Sequence, residues 1–124
     1  MQIDGKAPYD SQNVFARILR GEVPCNKVFE NEWVMAFHDI APKAPVHVLI
    51  IPRQAYVSFM DFHAKASPDE IVGVMQSVGE VARHMGLEKN GYRLITNAGP
   101  DSGQEVPHFH IHLLGGKALP LFPV

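Results

Sequence analysis

The sequence predicts a single α+β domain whose five strands form one antiparallel sheet, accompanied by one short N-terminal helix and one long helix. Its 124 residues suffice for one compact core, and 46% apolar against 19% charged residues are typical of globular proteins. The strand-like runs follow one another in hairpin order rather than as alternating βαβ units, which favours antiparallel pairing. We expect the order α-β-β-β-α-β-β, with residues 1–10 as a flexible arm and residues 11–124 as the domain.

The short helix is predicted directly after the arm. Apolar residues recur there at helical spacing, at Val14, Phe15, Ile18 and Leu19. Gly21 stands where a residue in the left-handed conformation commonly ends a helix. We therefore expect a short amphipathic helix that ends just before Gly21.

Three strands are predicted in the next part of the chain. Residues 27–30 and 33–37 are strand-like runs, and Asn31-Glu32 between them indicates a hairpin. The third strand is residues 46–51, which is closed by Pro52 because proline cannot donate to a sheet. The sequence does not decide between helix and loop for residues 54–66.

The long helix has the clearest boundaries. Ser67 is a predicted N-cap, Pro68 suits the first helical position, and Glu70 would complete a capping box. The helix would cover the sheet with an apolar face and end at Gly86; that face consists of Ile71, Val74, Met75, Val78, Val81, Ala82 and Met85. Residues 92–97 and 107–114 are predicted as the last two strands, joined by a turn-rich loop.

The most informative pattern is the alternation of histidine with large apolar residues near the C-terminus. Successive side chains of a strand point to opposite faces, so His108, His110 and His112 would share one face. The apolar residues between them would anchor the other face in the core. Neutral imidazole is a nucleophile, a base or a metal ligand, so this row predicts chemistry at one surface.

A metal site and a nucleophilic site are the competing interpretations of this row. On a strand the outer two histidines would be roughly 13 Å apart, too far for one ion above the central ring. Two of the three could still chelate zinc or copper together with His47. A nucleophilic histidine would instead need one fixed tautomer and an anion-binding group beside it.

Other candidate residues allow a functional and a structural interpretation. The loop at residues 99–106 could cradle a phosphate, or Gly99 and Gly103 could only form turns. His47 could be a histidine satisfied in the core. Asp39, at a predicted strand end, could cap a turn or accept the hydroxyls of a ribose.

Several motifs occur in a fixed order along residues 13–116. They are Ala-Phe-His-Asp-Ile at 36–40, Ala-Pro-Val-His at 44–47 followed by Ile51-Pro52, Gly103-Gln104, and the alternating histidines at 108–114. Together they resemble the histidine triad (HIT) superfamily, specifically its HINT branch of purine nucleoside phosphoramidases. The Leu-Gly-Gly sequence at 114–116 favours the HINT branch.

The resemblance implies a HIT-like domain that hydrolyses the P–N bond of purine nucleoside 5′-phosphoramidates, such as adenosine 5′-monophosphoramidate. His110 would attack the α-phosphorus and form a nucleotidyl-histidine that water hydrolyses, with no metal or other cofactor required. His108 and His112 would hold phosphate oxygens and orient the ring, and His47 would support them. It also implies a homodimer in which the two sheets join across the long helix and a central strand.

The resemblance also maps the nucleotide pocket. The implied phosphate contacts are Asn97, Gly103, Gln104, Val106 and His112; the ribose contact is Asp39; and the base pocket is Val14, Phe15, Ile18, Phe37, His38 and Ile40. Two other functions stay open: a dinucleoside polyphosphate hydrolase with a wider second nucleotide site, and a nucleotide-binding regulator with little turnover.

The sequence departs from the family pattern at three places. Glu105 stands where many HINT proteins carry a serine that donates near the scissile phosphate, and an ionised carboxylate cannot donate. Asn13 and Ala16 replace the cysteines of zinc-binding members. The tail, residues 117–124, lacks the tryptophan of animal relatives and is expected to alter leaving-group choice.

Composition limits the remaining possibilities. A net charge of -2 gives no electrostatic reason to expect nucleic-acid binding. Cys25 is the single cysteine, so no internal disulfide can form. No apolar run approaches the length of a membrane span, and we expect a soluble cytoplasmic protein.

Overall fold

The computed structural model describes residues 2–121, and its elements follow the predicted order with one additional helix. The helices are α1 (Val14–Leu19), α2 (Phe59–Lys65) and α3 (Pro68–His84). The strands are β1 (Lys27–Glu30), β2 (Val34–His38), β3 (Val46–Pro52), β4 (Tyr92–Ile95) and β5 (Ile111–Gly115). A single 3-10 turn, Pro100–Ser102, lies between β4 and β5.

The five strands form one sheet in the order β1-β2-β3-β5-β4, and every neighbouring pair is antiparallel. The predicted fold class is therefore confirmed. In the β3–β5 ladder, Leu49 is paired with His112 and His47 with Leu114. Because paired residues share a face, His47 and His112 lie on the same side of the sheet.

The two sides of the sheet are covered by different helices. One side, which we call the helix-covered face, packs against α2 and α3. The buried core there consists of Val34, Ala36, Val48, Ile50, Phe62, Val74, Val78, Val81, Ala82, Leu87, Phe109, Ile111 and Leu113. The opposite side, which we call the cavity face because a cavity opens on it, packs against α1. The smaller cluster there consists of Phe15, Ile18, Met35, Phe37, Leu49 and Ile51. Period-two alternation along β2, β3 and β5 assigns neighbouring residues to opposite faces.

Helix α1 has the predicted extent. The Asn13 side chain accepts a hydrogen bond from the Ala16 amide at 2.9 Å, which caps the first turn. Gly21 has a φ of 78°, so it ends the helix in the left-handed conformation. Asn13 therefore has a structural role as the N-cap of α1.

Helix α2 occupies part of the segment that the sequence left undecided. Ser58 caps it by accepting from the Met60 amide at 3.0 Å. The Asp61 carboxylate accepts from the Ser58 amide and the Val57 amide, each at 2.8 Å, and closes a capping box. Aspartate at this position is a weaker sequence signal than the usual glutamate or glutamine, which explains why the pattern did not identify the helix.

Helix α3 begins and ends as predicted, but its capping box was predicted wrongly. Ser67 accepts from the Glu70 amide at 3.1 Å, as expected of the N-cap. The Glu70 carboxylate does not return to the cap, because it accepts a hydrogen bond from the Tyr56 hydroxyl at 2.5 Å. Met75 was also expected in the apolar face, yet 43% of it is exposed.

Several strand boundaries differ from the predictions: β2 is Val34–His38 instead of 33–37, β3 ends at Pro52 instead of 51, β4 ends at Ile95 instead of 97, and β5 is Ile111–Gly115 instead of 107–114. At the starts of β2 and β5, main-chain groups bond outside the ladder. The β1–β2 turn includes Trp33, since the Asn31 carboxamide accepts from the Trp33 and Val34 amides. The final strand begins at Ile111 rather than at residue 107. Upstream of it, the Phe109 amide donates to the Tyr56 carbonyl at 2.8 Å instead of joining the sheet.

The N-terminal arm lies against the domain at Gly5 and Tyr9. The Ser58 hydroxyl donates to the Gly5 carbonyl at 2.7 Å. The flexibility of the arm stays a prediction, as does the domain boundary at residue 11. The predicted effect of the tail falls partly on residues 122–124, which lie outside the described residues. Within residues 2–121, none of the helices has the length and apolar character needed to cross a bilayer.

Candidate active site

A cavity of about 480 Å³ opens on the cavity face of the sheet. It is lined by Val14, Phe15, Ile18, Val23, Pro24, Phe37, His38, Asp39, Ile40, Ala41, Leu49, Asn97, Glu105, Val106, His110 and His112. Most residues proposed from the sequence are thus brought together. The proposed residues outside the lining are His47, His108, Gly103 and Gln104.

Four lining residues were not anticipated. Leu49 could have been found, because it alternates with Val48 in β3 and is paired with Phe37 across the sheet. Val23 and Pro24 follow the end of α1 in irregular chain, where no periodicity assigns a face. Ala41 follows β2 in the same way.

His110 is held in one tautomer with its Nε2 unprotonated. Its Nδ1 lies 2.6 Å from the His108 carbonyl oxygen, which can only accept, so Nδ1 carries the proton. The lone pair is then on Nε2 of a ring that is 5% exposed and lines the cavity. Burial lowers the pKa of His110 below its usual 6.5, so the ring is neutral at pH 7.

A chain of hydrogen bonds through His47 fixes the proton of His112. The Lys43 amide donates to His47 Nδ1 at 3.0 Å, so the proton of His47 is on Nε2. That nitrogen lies 2.9 Å from Nδ1 of His112 and donates to it. His112 must then carry its own proton on Nε2. The cavity therefore contains a histidine with a lone pair and a second histidine with an N–H donor.

The rings of His112 and His47 are both neutral at pH 7. Burial, followed by the neighbouring His110 and His47, lowers the pKa of His112 to about 4. Burial also lowers the pKa of His47, against the opposing effect of Asp39. The Asp39 carboxylate accepts from the Ala41 amide at 2.8 Å and lies 3.4 Å from His47 Nε2. It therefore caps the turn after β2 and retains lone pairs at the cavity.

His108 lies beneath the cavity and is fully buried. Its Nε2 lies 2.9 Å from the Pro52 carbonyl and donates to it, and its Nδ1 accepts from the Tyr9 hydroxyl at 2.5 Å. Neither ring nitrogen is free for a phosphate oxygen. Of the two roles that the resemblance assigns to His108, this geometry leaves the orienting one, through the carbonyl that holds His110.

Gln104 and Gly103 shape the loop rather than line the cavity. The Gln104 side chain accepts from the Gly99 amide at 2.9 Å and donates to the Val57 carbonyl at 2.7 Å and the Val106 carbonyl at 3.0 Å. The Gly103 amide donates to the Pro100 carbonyl within the loop. Gly103 has a φ of 75°, which requires glycine or a residue that tolerates the left-handed region.

Asp39, His47 and His112 also place three possible metal ligands within 4.8 Å of one another. Their protons disfavour a cation there. His47 would have to lose the Nε2 proton and place one on Nδ1, which already faces the Lys43 N–H donor. The arrangement is therefore a hydrogen-bond chain that orients His112.

The charged side chains that line the cavity are carboxylates. Asp39 and Glu105 line it, and among residues 2–121 no lysine or arginine does. An anionic group bound beside His110 would consequently be stabilised by neutral donors, such as the His112 N–H and the Asn97 side chain.

Comparison with known proteins assigns the family. The HIT domain model matches residues 20–119. A 13.2 kDa HIT-like protein of Azospirillum brasilense is 57% identical over 111 residues, which are 90% of this chain and 91% of that protein. The purine nucleoside phosphoramidase of Escherichia coli K12 is 40% identical over 109 residues, covering 87% of this chain and 90% of that protein. The chain therefore belongs to the HIT domain family.

Solved structures agree with this assignment. A histidine triad protein from Clostridium difficile superposes with a TM-score of 0.81 at 35% identity, covering 94% of this chain and 100% of that one. A HIT family hydrolase from Clostridium thermocellum superposes with a TM-score of 0.80 at 37% identity, covering 93% and 97%. The fold around the three histidines is thus the fold of this family.

Proposed function

We propose that the protein is a HINT-type hydrolase that cleaves the P–N bond of purine nucleoside 5′-phosphoramidates, such as adenosine 5′-monophosphoramidate. The observation that carries the proposal is the unprotonated Nε2 of His110, which is held toward the cavity by the bond from Nδ1 to the His108 carbonyl. Similarity to the phosphoramidase of E. coli supports the substrate class.

In the first step, the lone pair of His110 Nε2 attacks the α-phosphorus while the P–N bond breaks. The leaving nitrogen carries a proton taken from solvent and departs as a neutral amine, while the Nε2–H of His112 donates a hydrogen bond to a non-bridging phosphate oxygen. Positive charge develops on His110 as it bonds to phosphorus. The His108 carbonyl accepts from Nδ1–H and stabilises that charge.

In the second step, water attacks the phosphorus of the nucleotidyl-histidine. The bond between phosphorus and Nε2 breaks, the proton of the attacking water is taken up by a neighbouring base, and the nucleoside monophosphate leaves. The amine released in the first step, or solvent water, is that base, and His112 keeps its Nε2 proton throughout. The net reaction consumes one water and produces one amine and one nucleoside monophosphate.

The lining supports a bound purine nucleoside. Phe15, Ile18, Phe37 and Leu49 give the cavity an apolar wall for a flat base. The remaining lone pairs of Asp39 suit the ribose hydroxyls. Metals and other cofactors have no step in this scheme.

The most direct test of this function is a substrate panel with the purified chain. We expect AMP and the amine to be released from adenosine phosphoramidate, slower hydrolysis of pyrimidine analogues, and little cleavage of dinucleoside polyphosphates. His84→Gln, which removes an exposed histidine from α3, should leave the rate unchanged. AMP binding without any turnover would contradict the proposal and favour a nucleotide-binding regulator.

We also propose that two copies form a homodimer with a continuous sheet. β4 is an edge strand, and its Tyr92 and Leu94 are 41% and 46% exposed. Leu94 is paired with Leu113 on the helix-covered face, the side on which α3 leaves Val72 and Met75 exposed. Sedimentation at micromolar concentration should give a dimer, and Leu94→Lys should give a monomer.

We further propose a cytoplasmic location and no nucleic-acid or membrane partner. The free thiol of Cys25 suits a reducing compartment, and the net charge of -2 does not favour a phosphate backbone.

A further inference from the structure

The N-terminal arm contacts the histidine that supports the candidate nucleophile. Tyr9 and His108 are 99 positions apart in the chain, yet the Tyr9 hydroxyl is 2.5 Å from His108 Nδ1. The two rings meet edge to face with centroids 5.6 Å apart. This contact has no part in the reaction scheme above.

The donor in this contact is fixed by the rest of the network. His108 Nε2 must donate to the Pro52 carbonyl, so Nδ1 bears a lone pair and the Tyr9 hydroxyl donates to it. The ring of His108 is thereby held from both sides, by the arm and by the end of β3. A fully buried imidazole that lost one of these bonds would have an unsatisfied nitrogen.

The same residue supplies the main-chain group that orients His110. The His108 carbonyl accepts from His110 Nδ1 at 2.6 Å, and this bond directs Nε2 toward the cavity. The ring and the carbonyl share one α-carbon, so a backbone shift at His108 that follows loss of the Tyr9 bond would move that carbonyl, against the single bond from the Phe109 amide to the Tyr56 carbonyl. The contact at Tyr9 is therefore coupled to the direction of the candidate nucleophile.

The arm is anchored where Tyr9 can be held in place. The Gly5 carbonyl accepts from the buried Ser58 hydroxyl, and a Cβ at Gly5 would lie 2.9 Å from both Ser58 Oγ and Met60 Sδ. A side chain at Gly5 would have to displace the Ser58 hydroxyl and the Met60 sulfur. Gly5 thus fixes the start of the segment that delivers Tyr9.

We infer that Tyr9 is a positioning residue: by holding the His108 ring against the Pro52 carbonyl, its hydroxyl fixes the main-chain carbonyl that orients His110. The inference rests on the proposed function for its kinetic consequence alone. The arm then belongs to the active-site scaffold, although it lies outside the segment that the HIT domain model matches.

The test compares Tyr9→Phe with Tyr56→Phe, which also removes the hydroxyl of a half-buried tyrosine in a 2.5 Å bond. With adenosine phosphoramidate, Tyr9→Phe is expected to lower kcat about tenfold with KM nearly unchanged. Tyr56→Phe is expected to lower thermal stability and leave kcat unchanged. A loss of stability alone in Tyr9→Phe would overturn the inference.

A spectroscopic measurement separates positioning from stability. In ¹⁵N spectra of histidine-labelled protein, Tyr9→Phe should move His108 Nδ1 toward the position of an imine nitrogen without a hydrogen bond. The pKa of His110 should fall, because its bond to the His108 carbonyl favours the charged form. Unchanged resonances of both rings, or a shifted Nδ1 with wild-type kcat and pKa, would overturn the inference.

Failure of the proposed function and failure of the positioning role give different results. If the wild-type protein does not hydrolyse the phosphoramidate, the proposed function fails, and the pKa of His110 in the two variants still decides the positioning role. The wild-type spectrum is itself a test if Tyr9→Phe does not fold. A proton on His108 Nδ1, with Nε2 bare, would contradict the network.

Discussion

The two faces of the central sheet are built from the same strands and differ in what covers them. On the helix-covered face, the 17-residue α3 and the shorter α2 bury alternate residues such as Ile111 and Leu113. On the cavity face, the 6-residue α1 covers part of the sheet and leaves about 480 Å³ open beside His110 and His112. Neighbouring residues of the same strand therefore serve different ends: one side chain packs in the core and the next one faces the site.

Buried histidines on and beneath the cavity face need hydrogen-bond partners. A neutral imidazole can be buried when both ring nitrogens have suitable partners, because unsatisfied buried polar groups are costly. His47, His108 and His110 use main-chain groups as partners. Each of these bonds also fixes a tautomer, so the contacts that make burial possible prepare the site.

The largest effect should follow from removing the candidate nucleophile on the cavity face. His110→Gln is expected to reduce kcat/KM for adenosine phosphoramidate by about 10³-fold or more, because no other group can form the covalent bond. Thermal unfolding should confirm that the variant folds. A loss of less than tenfold in kcat/KM would show that His110 is not the nucleophile.

The matching substitution on the helix-covered face should affect stability instead. Leu113→Ala empties a fully buried site and is expected to cost about 3 kcal/mol in the free energy of unfolding. Turnover per folded molecule should stay near the wild-type value. Lys65→Ala, at an exposed position of α2, is the control for denaturant titration. A strong loss of turnover would show that the two faces are not separable.

The buried histidines should make stability depend on pH. The pKa values of His108 and His112 are lowered to about 4, so the unfolded chain binds more protons than the folded one between pH 6.5 and 4. Stability is therefore fully present above pH 6.5 and falls as pH decreases. We expect each of the two rings to contribute a loss of about 2 kcal/mol between pH 7.5 and pH 5, which is about 4 kcal/mol for the pair.

Urea titrations at the two pH values measure this dependence. His112→Gln should reduce the difference in unfolding free energy between the two pH values. His63→Gln, at an exposed position of α2, should leave that difference unchanged. A wild-type protein that is equally stable at both values would mean that these rings are protonated in the folded state.

A smaller effect is expected at the rim of the cavity. Glu105 is exposed and lines the cavity with His110, so its charge is screened by solvent. Glu105→Ser should change the ratio of rates for cationic and neutral leaving groups by about tenfold. Nucleotide affinity, measured with AMP, should change less, and equal changes in both would place Glu105 at the nucleotide instead.

Elements with a clear period were predictable, and elements set by individual polar contacts were not. The apolar periodicity of α1 and α3 predicted helices there, and the alternation around His110 predicted that His110 and His112 reach one site. The prediction that His108 shares their face was wrong, because His108 lies outside β5 and beneath the cavity. The sequence contained no period for α2, whose capping depends on Ser58 and Asp61. The capping box assigned to Glu70 was wrong because Tyr56, from outside the helix, competes for its carboxylate.

The site shows the same division. Most lining residues could be proposed from the family motifs, since motifs preserve positions. The proton positions could not, because they depend on main-chain partners such as the Lys43 amide and the Pro52 carbonyl. The contact between Tyr9 and His108 joins distant parts of the chain and has no local signal.

The proposed reaction depends on a covalent bond between Nε2 of His110 and phosphorus. Rapid quench into alkaline denaturant after mixing with adenosine phosphoramidate, followed by intact-mass and peptide analysis kept at alkaline pH, tests this bond most directly. We expect a transient adduct of one AMP unit on His110 that is absent from His110→Gln. Rapid AMP release with no adduct at any time, or an adduct on another residue, would contradict it.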